Sequence, residues 1–208
     1  ESGKKLAKTG EYQVIFVGDS ITDLWGAPGR GLDIWNRHFT NGAMKAINAG
    51  LSGDRTEHVL WRIGHGMLDG MQKAKAVILM IGTNNTGHRT LDDEKPAATV
   101  LGVQLVIDSI REKCPQAVII VHPVLPRSAD PRDEPRARNE TVNAAIREYI
   151  DGKDKMVWCD FNDRLLLPGG RLSKTIMPDL LHPGAYGYEV WAAAVVPEIE
   201  KALGIQKK

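Results

Sequence analysis

Gly18-Asp19-Ser20-Ile21 directly follows the apolar run Val14-Ile15-Phe16-Val17, which puts a serine hydroxyl at the carboxyl end of a strand expected to be buried. A nucleophile in that position faces the side where ligands bind. Asp179-Leu180-Leu181-His182 offers a carboxylate and an imidazole three residues apart, near enough for one turn to aim the first at the second. Serine, histidine and carboxylate together imply acyl transfer, with Ser20 as nucleophile, His182 as general base and Asp179 orienting the ring. Each piece also has a plain structural reading: Ser20 can cap a helix N-terminus, and His182-Pro183 can mark a turn. Their combination carries the chemistry.

Such chemistry needs donors for the oxyanion. Gly50-Leu51-Ser52-Gly53-Asp54 follows a second strand candidate and Gly82-Thr83-Asn84-Asn85 a third. The Ser20 amide at a helix start, the Gly53 amide in a glycine-rich turn and the Asn84 side-chain amide are the candidates. Glycine at 53 permits a positive φ and close backbone approach. Asp19 is assigned to bracing the loop, because adjacent residues on extended or turning backbone point apart. His58 and His65 lie seven residues apart on one predicted helix, yet no second pair of ligands accompanies them, so no metal is expected.

The elements that must position these groups follow from pattern. Strands are expected at 13–17, 46–48, 76–81, 117–122 and 156–160, most of them rich in Val and Ile. Helical periodicity covers 32–39, 56–68, 97–113, 136–149 and 184–203, with Thr56 as a cap, Pro115 ending the third helix and Pro197 interrupting the last. Strands alternating with helices imply a parallel sheet covered on both faces. Ligands of such a sheet bind outside the carboxyl ends of its strands, where Ser20, Gly53 and Asn84 all fall. The charged segment 127–138, with Pro131 and Pro135, reads as a loop.

The 208 residues suit one domain over 1–208, its first 11 residues an extended N-terminal segment. A formal net charge of +1 argues against nucleic acid as a partner, since phosphate binding wants a concentrated basic face. Cys114 and Cys159 are too few for a disulfide framework and lack metal spacing, so both are expected as free thiols. No apolar stretch approaches the ~20 residues of a membrane span. The chain begins at Glu1 rather than methionine, which slightly favours a processed, secreted or periplasmic protein over a cytoplasmic one.

Gly18-Asp19-Ser20, Gly53, Gly82-Thr83-Asn84-Asn85 and Asp179-Leu180-Leu181-His182 resemble, in order, spacing and position, the four blocks of the SGNH (GDSL-type) hydrolase superfamily. Residues 52–62 and Leu125-Pro126-Arg127 resemble the branch that contains the catalytic subunits of platelet-activating-factor acetylhydrolase and bacterial acetylesterases. The likeness runs from about Tyr12 to the final helix. It implies a three-layer α/β/α flavodoxin-like fold with five parallel strands in the order 2-1-3-4-5. It also implies Ser20, Asp179 and His182 as a triad, with Ser20, Gly53 and Asn84 as the oxyanion hole. No metal or organic cofactor is implied, and a homodimer is plausible because the acetylhydrolase subunits form dimers. Ile21 stands where the family nickname has leucine, a side chain that packs rather than reacts.

Substrate is read from the expected rim. The loop Asp23-Leu24-Trp25-Gly26, His88 near the Asn84 loop, and the 127–138 segment mix one aromatic with charged groups, which suits a polar alcohol better than two lipid chains. Trp25 is the candidate platform for a sugar, and His88 a candidate lining residue. The expectation is a serine esterase removing acetyl groups from an O-acetylated carbohydrate. Alternatives are an acetylhydrolase of phospholipid-like or aryl esters and a non-catalytic glycan-binding module.

Overall fold

The computed structural model describes residues 12–87 and 95–206. Strands β1 (Val14–Gly18), β2 (Ala46–Asn48), β3 (Ala76–Met80), β4 (Val118–Val121) and β5 (Met156–Trp158) form one parallel sheet in the order 2-1-3-4-5. Val14 of β1 pairs with Ala46 on one side and Ala76 on the other, and Ala76 pairs in turn with Val118. The β-branched residues of these runs fit a pleated surface, and their lack of polar alternation reflects burial on both faces.

The two faces separate by the period of two. Ile15, Val17, Val77, Leu79, Ile119 and Val121 face one core cluster, whereas Val14, Phe16, Ala76, Ile78, Met80 and Ile120 face the other. The helices in chain order are α1 (Ser20–Asp23), α2 (Leu32–His38), α3 (Thr56–Gly64), α4 (Thr83–Thr86), α5 (Pro96–Lys113), α6 (Glu134–Ile150) and α7 (Ala185–Ala202). Apolar stripes of α3, α5 and α6 cover the first face, and α2 with α7 cover the second, giving the expected three layers. Each fully buried Val, Leu, Ile or Phe contributes about 1.5–3 kcal/mol, so the sheet is the rigid base on which the loops stand.

Two local expectations change and one further element is present. Pro197 does not interrupt the last helix, because α7 continues through it; Trp191, Val195 and Ile199 anchor both sides in the core and offset the lost N–H bond. The 127–138 segment is not wholly loop: α6 begins at Glu134, with Pro135 in its first turn, where proline is tolerated. A two-residue-per-strand hairpin, β6 (Leu166–Leu167) with β7 (Arg171–Leu172), was too short for periodicity to reveal. Cys114 and Cys159 are buried free thiols, the latter just beyond the end of β5. Among the described residues no helix is long and apolar enough to cross a membrane. Residues 1–11 lie outside the described part.

Candidate active site

Ser20 is the first residue of α1, one step past the turn that ends β1. Asp19 makes that abrupt start possible: its Oδ1 accepts the Ile21 N–H at 2.9 Å, capping the helix. The bracing role expected of Asp19 is what the geometry shows, and Ser20 is not the cap. The next loop is fastened to this turn, with Leu51 N–H donating to the Gly18 carbonyl at 3.1 Å and Ser52 Oγ donating to Asp23 Oδ2 at 2.6 Å. At Gly50 a Cβ would stand 2.4 Å from the Asp23 nitrogen, so only glycine allows the two loops to meet.

Across the sheet edge, the 179–182 turn presents the other two groups. Ser20 Oγ lies 2.9 Å from His182 Nε2, and His182 Nδ1 lies 2.7 Å from Asp179 Oδ2. With the carboxylate accepting from Nδ1–H, Nε2 is left to accept the serine O–H. The other carboxylate oxygen, Oδ1, accepts the backbone N–H groups of His182 and Leu181 at 2.7 and 3.1 Å. Partial burial pushes the Asp179 carboxyl up, but the His182 and Leu181 hydrogen bonds together with the His182 charge outweigh it and hold the group below its ordinary value. Leu180 adopts φ +60° to close this turn, a left-handed conformation that costs a branched residue roughly 1–3 kcal/mol and concentrates at functional sites. Arg30 secures the turn from outside, its Nη1 donating to the His182 and Pro183 carbonyls at 3.1 and 2.9 Å. No sequence signal pointed to Arg30.

The loops after β2 and β3 interlock. Asn84 Nδ2 donates to the Asp54 carbonyl at 2.8 Å, leaving the second amide hydrogen free to serve a ligand. Asn85 accepts the Thr56 N–H at 3.0 Å and donates to Thr56 Oγ1 at 3.1 Å. Thr56 is therefore not the cap of α3; that position belongs to Arg55, and the Thr56 hydroxyl is spent on the loop clamp. Gly53 sits at φ +86° with nothing near its missing Cβ, so conformation rather than space requires glycine there. Neither the Ser20 nor the Gly53 backbone N–H donates to an acceptor among the described residues. Donors left open beside a serine held by an imidazole can stabilise a developing oxyanion.

The neighbourhood is charged but closed. Burial pushes the Asp19 carboxyl up to about 7, the Asp54 charge adds to this, and the Ile21 N–H and the Arg127 guanidinium oppose it. Arg127 Nη1 donates to the Thr83 carbonyl at 3.0 Å, and Arg136 donates to the carbonyls of Arg127, Ser128 and Gly170 at 2.9 to 3.1 Å. Both arginines are buried and brace the loops instead of forming a charged rim. Among the described residues no group of three or more His, Cys, Asp or Glu could hold a metal ion.

Trp25, expected as a platform on that rim, is instead 0% exposed. A short turn over Leu24–Gly26 folds its indole against Tyr188 and Trp191, with ring centroids at 4.7 and 4.9 Å. The aromatic content of α2 and α7 draws it into the core, so it cannot stack on a ligand. His88 lies outside the described residues. Asn85 stood beside Asn84 in the motif, but its role as a clamp depends on a partner 29 residues away and could not be read locally.

A family profile described as the GDSL-like lipase/acylhydrolase family matches residues 16–190. The alpha1 subunit of platelet-activating factor acetylhydrolase IB from Pongo abelii is 31% identical over 182 residues, covering 88% of this chain and 73% of the relative. The alpha2 subunit from Rattus norvegicus is 32% identical over 181 residues, covering 87% and 73%. Among solved structures, a GDSL-like lipase from Bacteroides thetaiotaomicron superposes with TM-score 0.78 at 21% identity, covering 97% of this chain and 95% of that one. An acetyl xylan esterase gives TM-score 0.71 at 18% identity over 89% and 98%. The sheet order, the loops at its carboxyl edge and a profile spanning most of the sequence agree: the chain belongs to the GDSL-like lipase/acylhydrolase family and is a carboxylic ester hydrolase.

Proposed function

We infer that the protein is a serine esterase that removes acetyl groups from an O-acetylated carbohydrate through an acyl-enzyme on Ser20. The observation that carries the mechanism is the continuous hydrogen-bonded chain from Ser20 Oγ through His182 to Asp179, at 2.9 and 2.7 Å. Ser20 Oγ attacks the ester carbonyl while His182 Nε2 takes its proton. The Ser20 and Gly53 N–H groups and Asn84 Nδ2–H stabilise the oxyanion. The carbonyl then re-forms, and the alcohol leaves with the proton held by His182. Water, deprotonated by the same imidazole, attacks the acyl-serine and releases the acid, which restores the free hydroxyl. Asp179 orients the ring and stabilises the imidazolium throughout.

Likeness to an acetyl xylan esterase supports a carbohydrate as the alcohol. The 31% identity to an acetylhydrolase subunit supports acetyl as the acyl group and favours a second reading, a phospholipid-like acetyl ester. A series of esters from acetyl to octanoyl separates a short acyl pocket from a lipase-like one. A short pocket makes kcat/KM fall steeply beyond acetyl, because added methylenes have no room; a long apolar pocket gains about 0.8 kcal/mol per buried methylene and gives the opposite slope. Octanoyl preference overturns acetyl specificity. Acetate release from acetylated xylooligosaccharides, compared with a 2-acetyl phospholipid, then decides between the two alcohols.

A further inference from the structure

Beside Gly53 a groove of about 390 Å³ opens on the surface, walled by Leu51, His58 and Trp61 with Arg62 and Asp54 at its base. Leu51 is 49% and Trp61 62% exposed, so two large apolar side chains face solvent where one of the open backbone donors lies. Nothing in the fold calls for this. Helix α3 buries Thr56, Val59 and Ile63 against the sheet, and Trp61 stands off that face.

The indole is nevertheless held in place. His65, one turn further on, lies flat against Trp61 with ring centroids 3.9 Å apart and planes 18° apart. Its Nδ1 is 2.7 Å from the Trp61 carbonyl, a bond that ties the lower ring to the helix end. His58 is equally constrained: Arg55 N–H donates to its Nδ1 at 3.1 Å, so the neutral ring carries its hydrogen on Nε2 and presents a donor. Arg62 Nη2 donates to the Ala49 carbonyl at 2.7 Å while its Nη1 pairs with Asp54. The floor is thus neutralised and rigid, and the wall is a fixed aromatic plane with a hydrogen-bond donor beside it.

A flat apolar surface edged by a polar donor matches a sugar ring, whose faces carry C–H groups and whose rim carries hydroxyls. We propose that the Leu51–His58–Trp61 groove is the subsite for the alcohol portion of the ester, binding a pyranose ring stacked on Trp61 with a hydroxyl accepting from His58 Nε2–H. The groove adjoins the Gly53 amide, so a ring bound there sets its acetyl group toward the oxyanion donors and Ser20. Trp61 is then the specificity-determining aromatic that Trp25 is not. The assignment rests on the carbohydrate reading above and extends it.

The test measures acetate release from acetylated xylooligosaccharides and from ethyl acetate by wild type, Trp61→Ala, Trp61→Phe and the control Leu105→Ala, an exposed leucine on α5. In Trp61→Ala the ratio of kcat/KM for the oligosaccharide to that for ethyl acetate falls by about ten-fold or more, the usual loss for an aromatic anchor. It recovers in large part in Trp61→Phe and is unchanged in Leu105→Ala. An unchanged ratio in Trp61→Ala, whether both activities persist or fall together, overturns the subsite while wild-type activity on the oligosaccharide keeps the carbohydrate reading. If wild type hydrolyses ethyl acetate but releases no acetate from any acetylated sugar, the carbohydrate reading fails and the subsite with it.

Discussion

Ser20 and His182 are 162 positions apart in sequence and 2.9 Å apart in space, and neither has a second structural task that would explain the pairing. Asp19, not Ser20, caps α1, and the His182 ring touches the fold mainly through Asp179 and Ser20. Residues that act as one unit lose their effect together. Ser20→Ala and His182→Ala are each expected to lower kcat by about 10³ to 10⁶-fold, with the double variant hardly worse. Near-wild-type turnover in either single variant, measured on any acetyl ester the protein hydrolyses, removes that residue from the mechanism. Because the hydroxyl and the imidazole are partly exposed, neither change empties a core position, and melting temperatures are expected to stay close to wild type. An organophosphonate should label wild type at Ser20 and spare Ser20→Ala.

At the scale of elements, the site is a meeting of loops, and its quality depends on how they are locked together. Asn84 and Asn85 join the loop after β3 to the loop and helix after β2 through the Asp54 carbonyl and Thr56. Asn84→Ala removes one loop tie and, in the mechanism proposed above, one oxyanion donor. The expected loss is about 10² to 10³-fold in kcat with little change in KM, as for a donor that acts mainly in the transition state; a pure KM effect makes Asn84 a substrate-binding residue instead. The same locking explains what the sequence could disclose. Strands, helices and the motif-bearing loops announce themselves through local period and residue type, so β1 to β5 and the loops that carry Ser20, Gly53, Asn84 and residues 179–182 at the sheet's carboxyl edge were legible. The ties between loops were not. Asn85 with Thr56, Arg30 with the His182 carbonyl, and Arg136 with the Gly170 carbonyl pair residues far apart in sequence, and an arginine or asparagine gives no sign of which distant group it will meet. Trp25 and Trp61 show the other limit: tryptophan is equally at home in a core and on a binding surface, and only the packing of α2 and α7 decides that the first is buried while the second is not.

The whole molecule carries two buried ionisable groups whose titrations oppose each other. His122 lies in the core with Nδ1 2.7 Å from the Cys159 carbonyl and Nε2 accepting the Trp191 indole N–H at 2.9 Å. A second ring proton would face the indole donor. Burial lowers the imidazole to about 4, against the weaker raising effects of the Cys159 carbonyl and Asp160, so between about pH 4 and 6.5 the unfolded chain holds a proton that the folded chain lacks. Folded stability from this group is therefore complete above about 6.5 and lost as pH falls toward 4 and below. Asp19 behaves in the opposite sense. Its folded value near 7 exceeds the unfolded value of about 3.9, so the folded chain holds the extra proton between about pH 4 and 7. Stability from this group declines as pH rises through that window and stays flat above it. The two contributions are each about 3 to 4 kcal/mol at full size and largely cancel in wild type. Asp19→Asn keeps an oxygen to cap Ile21 but cannot ionise, so its stability relative to wild type should climb as pH rises from 4 to 7 and then level off. His122→Gln starts from a deficit at pH 7, because its fit to Cys159 and Trp191 is lost, and that deficit should shrink toward pH 4. Urea unfolding of the three proteins from pH 4 to 8 reads both differences directly. A pH-independent difference for Asp19→Asn would mean that Asp19 titrates alike in the folded and unfolded chains, and the carboxyl next to Ser20 would then be charged throughout the neutral range.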